Sequence, residues 1–205
     1  MAQIKINQYS IPDDAITLAK MASGTDGNII TYDASGNPAV VASGTAGHFL
    51  KSQGANTVPV FAAHPVTSAF TSGLASDQTL TTTTKLQFVS NATLFQNIDI
   101  NSDFDDANNR FVAPVTGLYA FHCSAYERTS SQNILGMELH VNGTRKISVT
   151  FTSHEAGGNQ VCGGTAMYKL EAAQYVEIFG AVSGSLTFES NQYHTYWMGY
   201  LLGEM

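Results

Sequence analysis

Six histidines, His48, His64, His122, His140, His154 and His194, and an acidic run holding Asp99, Asp103, Asp105 and Asp106 are the residues of this sequence best suited to chemistry. The histidines are scattered singly, without the H-E-x-x-H spacing that turns two imidazoles to one side of a helix around a metal. His122 and His140 fall in strand-like segments, where symmetry copies of a chain could bring three imidazoles to one ion. Packed or solvated histidine is the commoner use. The carboxylates stand beside Asn101, Asn108 and Asn109, and an oxygen-rich turn suits calcium. Asp103, Asp105 and Asp106 are therefore the candidate ligands, although the spacing is not that of an EF-hand and acidic turns are ordinarily just solvated. No G-x-S-x-G elbow and no phosphate-binding loop is present in the sequence. The expectation is a non-enzyme that requires no cofactor.

Only 12% of the 205 residues are charged, and 9 Lys and Arg stand against 16 Asp and Glu, for a formal net charge of -7. A groove that tracks nucleic-acid phosphates is not expected from such a chain, and anionic membranes are disfavoured for the same reason. No stretch approaches the roughly 20 apolar residues of a membrane span. The start MAQIKINQYSIPDD has one lysine and no apolar run, so no export signal is expected. Cys123 and Cys162 are then expected to be free buried thiols, a single bridge being the alternative.

Three zones follow one another. In residues 1–22, Ser10 is a plausible N-cap, Pro12 sits in the first turn with Asp13 and Asp14, and Ile11, Ala15, Leu18 and Ala22 form a narrow apolar seam. This predicts a short helix that pairs with copies of itself. Residues 23–64 repeat themselves: Ser23-Gly24-Thr25-Asp26-Gly27-Asn28-Ile29-Ile30 is echoed by Ser43-Gly44-Thr45-Ala46-Gly47-His48-Phe49-Leu50. Each copy runs into a small-residue turn and a proline, Pro38 or Pro59, which predicts two small hairpins forming a stem. Ile30, Tyr32, Leu50 and Phe61 are too few for an independent core and are expected to be covered by neighbouring chains.

Residues 65–205 carry many short strand signals separated by turns, the pattern of a sandwich or barrel. Asn142-Gly143 between two alternating runs is a hairpin signal. Two stretches, 111–126 and 195–202, keep no polar face. Tyr119, Phe121 and Cys123 share one side of a strand and Leu118, Ala120 and His122 the other. Trp197 and Leu201 likewise oppose Tyr196, Met198, Tyr200 and Leu202. One side can line a core, and the second needs another cover. With no helix nearby to provide it, one sheet is expected to be buried against copies of itself.

The spacing Phe111-x-x-Pro114-x-x-Gly117-x-Tyr119-x-Phe121, preceded by Asn101 and Phe104, resembles the signature of the C1q-like jelly-roll head. Leu139-x-x-Asn142-Gly143, Gly164 through Leu170 leading into Gln174-Tyr175-Val176-Glu177-Ile178, and Tyr196-x-x-Gly199-Tyr200-Leu201-Leu202 continue it in order. Ala173-Gln174 stands where the family commonly has Gly-Asp. The resemblance implies an all-β fold, a ten-stranded antiparallel jelly-roll sandwich assembling as a homotrimer, and in some members a calcium ion. Tyr119, Phe121, Tyr175, Phe179, Tyr196, Trp197 and Tyr200 would then supply core and trimer interface. The run from Ala19 to Pro38 resembles segments of bacteriophage tail-fibre and other virion proteins.

Together these imply a homotrimeric phage fibre or spike located on the virion and assembled in the host cytoplasm. Residues 1–22 would attach to other virion proteins, 23–64 would form the stem, and the head at 65–205 would meet a host surface protein or glycan. The candidate contacts, chosen at the loop end of the sandwich, are Tyr126, Arg128, His154, Gln192 and Tyr193. The alternative is a capsid decoration or head-fibre protein with a structural role only. A polysaccharide depolymerase is disfavoured by the missing carboxylate or nucleophile motif. No membrane insertion is expected.

Overall fold

The computed structural model describes residues 23–90, 98–128, 134–153, 160–190 and 193–205. The helix expected within residues 1–22 lies outside them. Among the described residues there is no α-helix, only a 3-10 turn at Ile100–Ser102, and no helix is long and apolar enough to cross a membrane. The chain divides into two compact units between His64 and Pro65.

The first unit holds two antiparallel hairpins, β1 (Ile29–Tyr32) with β2 (Pro38–Val41) and β3 (Phe49–Lys51) with β4 (Val60–Ala62). The Asp33 carboxylate accepts from the backbone N–H groups of Ser35 and Asn37, and Gly36 at φ +80° closes the first turn, a conformation that costs glycine little. Each pair is too small to bury its own side chains. Ile30, Tyr32, Val40 and Leu50 are exposed, and Val41 is the one buried hydrophobic of this unit among the described residues.

The second unit is a sandwich. One sheet runs β13 (Thr144–Ser153), β12 (Ile134–Val141), β15 (Tyr175–Ser183), β10 (Arg110–Val112) and β9 (Phe104–Asp105), with β7 (Thr84–Lys85) also on β15. The other runs β6 (Gln78–Leu80), β16 (Leu186–Phe188), β11 (Gly117–Glu127), β17 (Tyr196–Glu204), β5 (Ala69–Leu74) and β8 (Phe88–Val89), with β14 (Gln160–Leu170) also on β11. Short pairings such as β7, β8 and β9 divide the head more finely than the ten strands expected. Asn142 and Gly143 turn β12 into β13 with φ of 49° and 74°, the double positive φ of a type I′ turn.

The core between the sheets holds an aromatic cluster drawn from both sheets beside an aliphatic one. Trp197 lies edge-on to Phe70 and Phe104, with centroids 4.8 and 5.4 Å away, and Phe88, Phe111, Phe121 and Tyr119 surround this group. Leu135, Met137, Leu139, Val176 and Ile178 face it from β12 and β15. Gly199 makes the packing possible: a Cβ there would stand 2.6 Å from Phe121 and 2.7 Å from Phe70.

Candidate binding surfaces

The two-faced strands resolve into an inside and an outside. Tyr119, Phe121 and Trp197, expected as core or interface, are all buried inside the single chain, so they are core. The Tyr119 hydroxyl donates to the Val115 carbonyl at 2.8 Å, which satisfies its polar end. Tyr175 and Phe179 are half-buried on the outer side of the β12–β15 sheet, Tyr175 beneath the Arg110 guanidinium and Phe179 stacked on His140. Tyr196 and Tyr200 point outward from β17.

Pairing brings the outward residues of three strands into rows. Met167 of β14, Ala120 of β11 and Tyr200 of β17 stand directly opposite one another, and Ala69 of β5 continues the row. Thr165, His122 and Met198 form the next row. Met167 is 62% exposed and Tyr200 51%, with Val161 and Leu202 also open. Exposed apolar side chains are thus grouped on one sheet face. Met167 escaped the sequence reading although the alternation of β14, with Cys162, Ala166 and Leu170 buried, contains the signal.

His122 lies on this face with both ring nitrogens engaged, Nδ1 with Thr165 Oγ1 at 2.9 Å and Nε2 with the Tyr196 hydroxyl at 3.2 Å. His140 shares its Nε2 with Glu138 on the other sheet. Within one chain the two histidines are thus engaged separately, on different sheets.

The acidic turn is spent on structure. Asp103 accepts from Ser68 at 2.7 Å, Asp105 from Arg110 at 3.0 Å, and Asp106 from the Ser90 backbone at 2.6 Å and hydroxyl at 2.9 Å. Burial raises Asp103 and Asp99 above the ordinary carboxylate value, while hydrogen bonds from Asn108, and then Arg110, hold Asp105 below it. Each of these carboxylates thus accepts hydrogen bonds from within the chain, and the described residues contain no group of three His, Cys, Asp or Glu side chains arranged to hold a metal. Cys123 and Cys162 are free and buried, and burial pushes both thiols up to about 12.

Of the candidate contact residues, Tyr126, Arg128 and Tyr193 gather where β11 ends and β17 begins. The Tyr126 backbone N–H donates to Thr195 Oγ1 at 3.0 Å and its ring lies tilted against His194, Arg128 pairs with Glu189 at 2.8 Å, and Tyr193 is 74% exposed. His154 and Gln192 lie outside the described residues.

The C1q domain model matches residues 69–202, which spans every strand of the sandwich. The chain belongs to the C1q domain family. This C1q-family chain also resembles solved structures: murine APRIL at pH 8.5, with 9% identity and TM-score 0.50 over 67% of this chain and 100% of that one, and Eiger TNF from S. frugiperda, with 10% identity and TM-score 0.50 over 68% and 94%. The globular domain of zebrafish complement 1qA is 16% identical, with TM-score 0.49 over 67% of this chain and 99% of that one. The family match, with the two structures at TM-score 0.50, establishes the all-β, jelly-roll-like C1q/TNF fold of the head. No curated protein matches the sequence.

Proposed function

We propose that the chain is a homotrimeric phage virion fibre or spike, in which the C1q head recognises the host surface and the N-terminal zone attaches the trimer to the particle. The observation that carries the trimer is the outward face of β14, β11 and β17. Met167 and Tyr200, standing on either side of the buried Ala120, are apolar yet exposed in one chain, and a second and third copy of the same face provide the cover. The exposed Ile30, Tyr32, Val40 and Leu50 of the hairpins support an intertwined stem in the same way. The virion assignment is supported by the likeness of residues 19–38 to phage fibre segments.

Recognition is assigned to the loop end of the head, where Tyr126, Arg128 and Tyr193 present aromatic and cationic surface on a rigid sandwich. Individually weak contacts suffice there, because three heads act together. The test is binding of the purified, labelled full chain to host cells and to unrelated bacteria, with antibody against residues 1–22 locating that end on intact particles. Selective cell binding and a labelled attachment site on the particle are expected. Equal binding to both cell types, or no labelled particle, would refute the proposal.

A further inference from the structure

The outward face of the β12–β15 sheet differs in kind from the apolar face assigned to self-association. Alternation along β12 sends Leu135, Met137, Leu139 and Val141 into the core and leaves Gly136, Glu138 and His140 on the outer side. Glu138 is nevertheless only 4% exposed. One of its oxygens accepts from Arg145 Nη1 at 2.8 Å and the other from His140 Nε2 at 3.0 Å. The His140 ring is clamped in turn against Phe179, with centroids 3.9 Å apart and planes 15° from parallel. Burial acts to raise the Glu138 carboxyl, and the hydrogen bonds from His140 and Arg145 overcome that effect and hold it below its ordinary 4.5. It is a fixed, ionised carboxylate, and each oxygen retains acceptor capacity beyond the one bond it makes.

Beside it opens a cavity of about 230 Å³ whose lining includes Thr83, Glu138, Arg145, Phe151, Ala181 and Ser183. Phe151 is 60% exposed. Its ring rests over Gly136, where a Cβ would stand 2.6 Å from a ring carbon, so the glycine is what lets the aromatic ring lie down against the strand. The Arg145 side chain is 63% exposed and has donors beyond the Nη1 given to Glu138.

An open aromatic ring, an acceptor-only carboxylate and a donor-only guanidinium around one small space suit a sugar ring. The C–H face of a pyranose packs on an aromatic surface, and its neighbouring hydroxyls both donate and accept. The opposite charges of Glu138 and Arg145 offset each other, which favours a neutral ligand over a phosphate or an ammonium. The volume lies below the roughly 300–1,000 Å³ of pockets that take drug-sized ligands, so it fits a single ring of a longer chain. We propose that this cavity binds one pyranose unit of a neutral glycan, with Phe151 as the stacking platform and Glu138 and Arg145 as the hydroxyl-reading pair. The inference rests on the recognition reading above for the source of the glycan, and it places a contact on the sheet face that self-association leaves open.

Saturation-transfer NMR on the full chain tests it, with methyl α-D-glucopyranoside, methyl β-D-galactopyranoside and N-acetylglucosamine as separate probes. At least one is expected to receive saturation, and Phe151→Ala is expected to weaken its binding about tenfold, the loss of one aromatic contact. Gly136→Ala, which displaces the ring without deleting it, should weaken binding in the same direction, with circular dichroism showing that both variants stay folded. Absence of saturation for all three sugars, or binding unchanged in folded Phe151→Ala, would overturn the proposal. Neither result bears on whether the chain binds host cells, which is read on cells, so the two failures are separable.

Discussion

Met167→Glu separates self-association from folding more cleanly than any core substitution. Met167 is 62% exposed in the single chain, and surface changes of that kind alter protomer stability by only about 0.5 kcal/mol. In the trimer the remaining surface would be buried, worth about 1–2 kcal/mol of the roughly 1.5–3 kcal/mol for a whole side chain. A glutamate there also brings a carboxylate into the contact. The cation two residues along the strand, Lys169, already lies 3.6 Å from Glu171, so an unsatisfied group adds about 1–3 kcal/mol more. The loss is therefore about 2–5 kcal/mol per copy and about 6–15 kcal/mol for three, with each 1.4 kcal/mol worth about tenfold in the assembly constant. Sedimentation velocity over a dilution series, beside a thermal melt of the dissociated chain, reads both quantities. Met167→Glu should dissociate at concentrations where the parent remains assembled and should keep its fold. A variant that assembles as well as the parent would refute the assignment of this face.

Trp197→Ala should act on the protomer instead, costing about 3–5 kcal/mol in a denaturant melt, because the ring is enclosed by Phe70, Phe88 and Phe104; an unchanged midpoint would contradict that packing. Ala173 holds φ +66° between the Ala173 N–H bond to the Ala113 carbonyl and the Gln174 side chain on Glu171, a conformation that costs a non-glycine residue about 1–2 kcal/mol. Ala173→Gly should therefore stabilise the head by up to about 1 kcal/mol after the glycine's larger unfolded-state entropy is set against it. With burial pushing Cys123 and Cys162 up to about 12, the native chain should not react with a thiol reagent at neutral pH, whereas the denatured chain should react at both positions. Glu138, held below 4.5, contributes stability that is present above that value and is lost only as pH falls through its lower folded value; an acid denaturation series of Glu138→Gln beside the parent should show the difference between them vanish only in acid stronger than pH 4.5.

The hairpin at Asn142-Gly143 was legible because a local turn rule fixes it, and the C1q spacing from Phe111 to Phe121 because those residues set strand β11 against its neighbours. Which side of β17 faces inward was not legible. Tyr196, Met198 and Tyr200 look as apolar as Trp197 and Leu201, and the inward side even carries a gap at Gly199. That gap reads as weakness in the sequence and exists because Phe70 and Phe121 fill the space. The hydrogen bonding of the acidic turn was hidden for a related reason. Its partners Ser68 and Ser90 are distant in sequence from the carboxylates that they anchor. The cavity beside Phe151 needed β7, β12, β13 and β15 side by side, a juxtaposition that only the sheet order supplies.

Light scattering of the intact chain through a dilution series tests the central claim most directly. Self-coverage of the Met167–Ala120–Tyr200 row predicts a mass three times the 21.9 kDa of one chain, persisting into the micromolar range. A folded species at the single-chain mass under those conditions would contradict it.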